Sequence, residues 1–166
     1  MNLISGLHDF DFLDAKWQIK NRRKKAHLLT DNPTANKNAQ WEEFTAIGGM
    51  AQTQLGGRCK IDFFEGTFPD GEAVKGMAVR TYDEQKDEWS FVWLDNRQPS
   101  DWTPLVGRFE GNVGLFYQTI QAADGQPLKV RFTWEKFGHD SARWQQAFSL
   151  DGGQTWDTNW IMDYSR

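Results

Sequence analysis

The stretch Ala142-Arg143-Trp144-Gln145-Gln146-Ala147-Phe148-Ser149-Leu150-Asp151-Gly152-Gly153-Gln154-Thr155-Trp156 decides how the chain is read. Trp144, Gln146 and Phe148 alternate with Arg143, Gln145, Ala147 and Ser149. That is the period of two that a β-strand imposes when one of its faces is covered. The pattern breaks at Asp151-Gly152-Gly153, residues that supply turn dihedrals, and resumes with Trp156, Thr158, Trp160, Met162 and Tyr164 on one face. Strand, tight turn and strand make an antiparallel hairpin.

The same pattern spreads outward. Val130, Phe132 and Trp134 oppose Arg131, Thr133 and Glu135, and Trp89, Phe91 and Trp93 oppose Ser90, Val92 and Leu94. Turn signals recur at short intervals: Asp31-Asn32-Pro33, Gly48-Gly49, Gly56-Gly57, Pro69-Asp70-Gly71, 83–87, 96–100, Gly111-Asn112, Asp124-Gly125, 138–141 and 151–153. We expect strands near 16–27, 40–47, 58–65, 73–82, 87–95, 104–110, 113–120, 128–136, 142–150 and 156–164. A short helix is expected before them, with Phe10, Leu13 and Trp17 at helical spacing as a plug. The fold class is all-β: a closed antiparallel barrel of about eight to ten strands.

With 166 residues, we expect one domain spanning 1–166, large enough to fold without disulfides or metal. Nine Trp within an aromatic fraction of 14% suit a strand-rich core. A net charge of −4 argues against nucleic acid as a partner. No apolar run reaches membrane-spanning length, and Met1 to His8 lacks a secretory pattern. The one cysteine, Cys59, has no partner within the chain, so a cytoplasmic location is expected. The segment from Thr30 to Asn38 is the most polar.

Several strands carry large residues on both faces, for example Val92 and Leu94 against Trp93, which points to an outer wall packed by a helix or by a partner, a homodimer being the partner expected. In the basic run from Lys16 to His27, alternation sends Gln18, Lys20, Arg22 and Lys24 to solvent and Trp17, Ile19, Asn21 and Arg23 inward. Other polar residues expected inside are Glu43, on the face of Trp41, with Asp62, Arg80, Asp95, Arg131, Arg143 and Gln145. Buried charges must pair with each other or meet a polar ligand. Arg and aromatic faces together suit a planar or acidic molecule. The expected ligand-binding set is Trp17, Asn21, Arg23, Trp41, Glu43, Asp62, Arg80, Trp93, Asp95, Arg131, Arg143 and Trp160.

Ser149 to Trp156 matches the Asp-box pattern Ser-x-Asp-x-Gly-x-Thr-Trp of propeller hairpins. It occurs once, with no internal repeat, and is read as a rigid turn. His8, His27 and His139 show no metal-ligand spacing, and neither Gly-Gly pair precedes a helix as a phosphate loop would. We expect no metal and no cofactor.

A set of phrases carries a wider resemblance: His8-Asp9-Phe10-Asp11-Phe12, Trp17-Gln18-Ile19-Lys20-Asn21-Arg22-Arg23, Leu55-Gly56-Gly57, Val106-Gly107-Arg108-Phe109, Val130-Arg131-Phe132-Thr133-Trp134, Ala142 to Ser149, and Thr158-Asn159-Trp160-Ile161-Met162-Asp163. Over nearly its whole length the chain resembles an uncharacterised bacterial family of calycin-like β-barrels, the group that holds lipocalins, fatty-acid-binding proteins and nitrobindin-like haem barrels. The resemblance implies a barrel around a ligand cavity. Nitrobindin-like barrels hold haem through a histidine near the C-terminus, and here no histidine follows His139.

Three functions follow as expectations. The first is binding of a small hydrophobic or aromatic molecule, acidic ones included, in the barrel. The second is a metal-independent isomerase, cyclase or lyase, with Glu43, Asp62, Asp95 and Arg80 as the catalytic set and Arg23 and Arg131 beside them. The third is a protein-interaction module presenting Trp102.

Overall fold

The computed structural model describes residues 6–25 and 38–166. Ten strands follow in chain order: β1 (Trp17–Lys24), β2 (Trp41–Gln54), β3 (Cys59–Thr67), β4 (Ala73–Asp83), β5 (Glu88–Asp95), β6 (Leu105–Glu110), β7 (Val113–Gln121), β8 (Pro127–Lys136), β9 (Ser141–Ser149) and β10 (Asp157–Ser165). Each pairs antiparallel with the next, and β10 returns to pair with β1, closing the barrel. Most of the polar segment 30–38, with His27, lies outside the described residues.

One expectation about local structure needs correction. Gly48-Gly49 is not a turn: it lies inside β2, which runs on to Gln54. A Cβ on Gly48 would stand 3.3 Å from Trp17 and Ile19, and one on Gly49 would stand 3.0 Å from Phe63. The pairing of β2 with β3 shifts register between Gly49 and Gln52. The glycines therefore serve a bulge and a close approach where the strand bends around the ring. The short N-terminal helix is present, in the form of two single 3-10 turns, Gly6–His8 and Asp11–Leu13.

Those turns still plug one end. Phe10 is 1% exposed, and its ring lies 5.2 Å from Trp89, 5.2 Å from Phe109, 5.7 Å from Phe116 and 6.3 Å from Trp134. Polar contacts tie down the backbone around it. The Trp89 indole N–H donates to the Gly6 carbonyl at 2.9 Å, and that of Trp17 to Phe12 at 3.2 Å. The buried Lys60 ammonium donates to both oxygens of Asp14, at 2.7 and 2.8 Å, and meets Asp11 at 2.7 Å. Strand alternation then puts the β3–β4, β5–β6, β7–β8 and β9–β10 connections at the opposite, open end.

The plug should behave as core. Phe10→Ala is expected to lower the unfolding free energy by roughly 3–5 kcal/mol, as large-to-small aromatic changes in cores do. Urea denaturation measures this, and a loss below about 1 kcal/mol would mean that the N-terminal turns do not belong to the core.

Candidate functional site

The closing register decides which polar residues face inward. Arg23 lies opposite Glu42 and Asn21 opposite Phe44, so the even-numbered residues of β2 from Glu42 to Gly48, before the bulge, face inward. This corrects the placement of Glu43 and Trp41. Both are exposed on the outer wall, where Glu43 meets Lys20 at 3.7 Å. Glu42, one residue away, is the interior carboxylate: it accepts from Arg23 Nε at 2.6 Å. Two adjacent glutamates look alike in sequence, and only the pairing distinguishes them.

Arg131, Arg143 and Gln145 are also corrected to the outer wall, because Val130, Phe132, Trp144 and Gln146 take the interior positions of the same strands. Arg131 lies 4.4 Å from the Trp156 ring, and Arg143 donates to Asp163 at 2.6 Å. A register shift between Thr158 and Trp160 puts Thr158 opposite outward Ala147 and Trp160 opposite inward Gln146, so Thr158 and Trp160 do not share a face. Lys24 is buried rather than solvated and donates to Asp157 at 2.6 Å.

Asn21, Arg23, Asp62, Arg80, Trp93, Asp95 and Trp160 do face inward, in two tiers. In the lower tier, Arg80 is ion-paired with Asp62, and its guanidinium lies 4.6 Å from the Phe10 ring and 4.9 Å from the Phe91 ring. Burial pulls the pKa of Arg80 down and pushes that of Tyr164 up. Trp17 belongs to this sealed tier.

The upper tier lies toward the open end. The Arg23 guanidinium is 3.6 Å from the Phe68 ring, and that of Arg97 is 4.7 Å from it. Burial lowers the Arg23 pKa, while Glu42 opposes the shift. Asp95 accepts from Arg97 Nη2 at 2.8 Å, from the Arg97 backbone amide at 2.8 Å and from the Trp93 indole at 2.8 Å. Burial alone would raise its pKa, but these donors hold it below the ordinary value. A carboxylate so engaged is a weak base.

Two asparagines stand apart. Asn21 and Asn159 are both 0% exposed. The Trp160 indole N–H donates to Asn21 Oδ1 at 3.0 Å, and Gln146 Nε2 donates to Asn159 Oδ1 at 2.9 Å. The Nδ2 of each has no hydrogen-bond partner. An indole is only a donor, so Asn21 must turn its oxygen toward Trp160 and keep its amide for another acceptor.

Nearby, Trp93, Gln118, Ile120, Gln146, Trp160 and Met162 sit at inward positions yet keep some accessible surface. The wall is also incomplete there. β5 pairs with β6 only through Trp89, Phe91 and the residue between them, leaving 92–95 bonded to β4 alone. Across the gap, 118–121 of β7 pair with β8 alone. The upper barrel is thus an aromatic tier with some accessible surface and two buried, unpartnered amides, and the β5–β6 connection spans the unpaired strands, where Gln118 Nε2 donates to the Thr103 carbonyl at 3.0 Å.

Glu42, Gln146, Asn159 and Arg97 were absent from the expected ligand set. Register could have pointed to Gln146, which alternates with Trp144 and Phe148. Asn159 depends on the bulge and leaves no period-two signal. His8 and His139 are exposed, and Trp102 stands exposed in the β5–β6 connection. Among the described residues, no group of three or more His, Cys, Asp or Glu is placed to hold a metal, and no helix is long and apolar enough to cross a membrane. No protein-family model and no curated protein matches this chain.

The depressed Asp95 pKa sets a direction for acid sensitivity. Its stabilisation is fully present above the ordinary value of 3.8 and is lost as pH falls through the lower folded value. Unfolding free energy should therefore decline with pH below about 4. Asp95→Asn should flatten part of that decline. Equal slopes for the two proteins in acid denaturation would remove Asp95 from the account.

Proposed function

We propose that this protein binds a small aromatic or hydrophobic molecule bearing a carboxylate or carbonyl oxygen, held in the upper chamber of a calycin-like barrel. One observation carries the reading: Asn21 and Asn159 are wholly buried, yet each keeps an amide N–H₂ without an acceptor. An unsatisfied buried donor costs about 1–3 kcal/mol. A ligand oxygen accepting from either amide would relieve that cost, and the accessible faces of Trp160, Met162 and Ile120 would cover its apolar body. Arg23 adds positive potential nearby and favours an acidic ligand, although Glu42 offsets part of it.

Binding fits the chamber better than acid–base catalysis does. Asp62, Asp95 and Glu42 are each engaged by a guanidinium, so none of these three interior carboxylates is free to serve as a base. The ring, which uses strands from both ends of the chain, supports one domain over 1–166. A buried free Cys59 supports a reducing compartment, hence the cytoplasm.

Tryptophan fluorescence and calorimetry with aromatic carboxylates, their ketone analogues and the parent hydrocarbons test this reading. Carboxylates or ketones should bind and the hydrocarbons should bind more weakly. Asn159→Asp keeps an acceptor for Gln146 but replaces the unused donors with oxygen, and Asn21→Asp does the same beside Trp160. Each should weaken binding at neutral pH at least about tenfold, or ~1.4 kcal/mol, with the circular dichroism unchanged. If no oxygen-bearing aromatic binds at about 1 mM, or if both variants bind as the parent does, the proposal fails.

A further inference from the structure

The two ends of the barrel are closed in unlike ways. At the plug end, Phe10 sits among turns that polar contacts bolt to the wall: Trp89 to the Gly6 carbonyl, Trp17 to that of Phe12, and Lys60 to Asp11 and Asp14. At the other end the cover is Phe68, 2% exposed, from the β3–β4 connection 68–72. Its ring lies 3.6 Å from the Arg23 guanidinium, 4.7 Å from that of Arg97, 5.0 Å from the Phe44 ring and 6.4 Å from that of Trp160. A phenyl ring makes no conventional hydrogen bond, so only apolar and cation–π contacts are lost when it leaves.

The backbone beneath Phe68 can carry it. Within the connection the bonds are internal. The Phe68 amide donates to the Glu72 carbonyl at 2.9 Å, the Gly71 amide to the Phe68 carbonyl at 2.9 Å, and the Glu72 amide to Asp70 Oδ1 at 3.0 Å. A turn bonded to itself moves as a unit. Among the described residues, pairing with the neighbouring strands stops short of it. β3 pairs with β2 only as far as Gly66. On the other side, Asn96 accepts from the Lys75 amide at 2.8 Å and donates to the Ala73 carbonyl at 3.2 Å, which pins the foot of β4 but not the turn. Thr67 and 69–73 are exposed, so Phe68 is the buried residue of an otherwise solvated tip.

We infer that the connection 68–72 is a hinged door to the upper tier and that Phe68 is its latch. Hinges sit at a few loop or element-terminal residues, as at the two feet of this turn. The walls stay in place when the door swings. Glu42 holds Arg23 at 2.6 Å, Asp95 holds Arg97 at 2.8 Å, and Asn21 holds the Trp160 indole at 3.0 Å. An aromatic molecule that enters meets the guanidinium and ring faces that Phe68 gives up, so latch and ligand compete for one place. The inference rests on the proposed function for the site behind the door, whereas the opening itself is read without any ligand.

Thiol labelling tests it. Val74, 1% exposed, faces inward from β4 beside the door. In Val74→Cys, the rate of reaction with a neutral dipyridyl disulfide reports opening, and the parent protein, with its buried Cys59, gives the blank. The rate should change by less than about twofold on adding ~1 M urea, because a local opening exposes little surface. Adding Phe68→Ala should raise it at least about tenfold, and Phe68→Leu, which keeps an apolar side chain without the ring, about threefold or more. The leucine variant keeps the test decisive if the alanine variant does not fold. Adding Phe10→Ala should change the rate by less than about threefold, because lost global stability speeds only labelling that passes through unfolding. A rate that climbs with urea as global unfolding does, a Phe10→Ala protein labelled as fast as Phe68→Ala, or Phe68 variants labelled no faster than Val74→Cys alone overturns the inference. If the expected rates are found and no oxygen-bearing aromatic binds, the door stands and the proposed ligand falls.

Discussion

A ring of ten strands encloses more width than eight, the number whose inward side chains just fill the space. Everything else in this barrel answers to that excess width. At one end Phe10 fills it, wedged among Trp89, Phe109, Phe116 and Trp134. At the other end Phe68, from the β3–β4 connection, is 2% exposed and lies 5.0 Å from the Phe44 ring and 6.4 Å from that of Trp160. Trp93, Gln118, Ile120, Gln146 and Met162 keep some accessible surface there, and this upper tier is what remains of the width. Plug and chamber are two consequences of one strand number.

The interior polar groups obey a second constraint, the cost of burying charge. Arg80 with Asp62, Arg97 with Asp95 and Arg23 with Glu42 divide the charges into neutral pairs, and rings lie against each guanidinium. Such pairs orient residues more than they stabilise the fold. The Asp95 cluster fixes the Trp93 indole through a hydrogen bond, and the Trp160 indole is fixed by Asn21. The buried side-chain atoms left without a hydrogen-bond partner include the neutral, directional Nδ2 groups of Asn21 and Asn159, beside Arg80 Nε and Asp157 Oδ2 of charged residues.

Much of this was legible from residues. Alternation in 89–95, 130–136 and 142–149 placed Trp89, Phe91, Phe132, Trp134 and Trp144 inside, and helical spacing marked Phe10 and Leu13 as a plug. The errors share one cause. Trp41 and Glu43 were assigned to the interior from an aromatic at the start of a strand, whereas β2 takes its parity from its pairing with β1. Gly48-Gly49 resembles a turn because glycine suits turns, yet its lack of Cβ is used here for approach to Trp17, Ile19 and Phe63. Thr158 and Asn159 changed roles because a bulge resets the period. The residues leave open whether interior charges meet each other or a ligand; in the structure Arg80 pairs with Asp62, Arg97 with Asp95 and Arg23 with Glu42.

By itself the sequence determined that the chain forms short antiparallel strands with aromatic inner faces, turning at Asp, Asn and Gly. Those properties are local: a period of two and a turn dihedral need only a few neighbouring residues. Only the tertiary structure decided which member of each adjacent pair faces the chamber, which carboxylate meets which guanidinium, and that Asn21 and Asn159, 138 residues apart in chain order by their numbers, leave their amides in one interior. Those outcomes depend on where β1 closes against β10 and where β10 bulges. Register across a closed ring is a property of the whole circuit, and no single segment contains it.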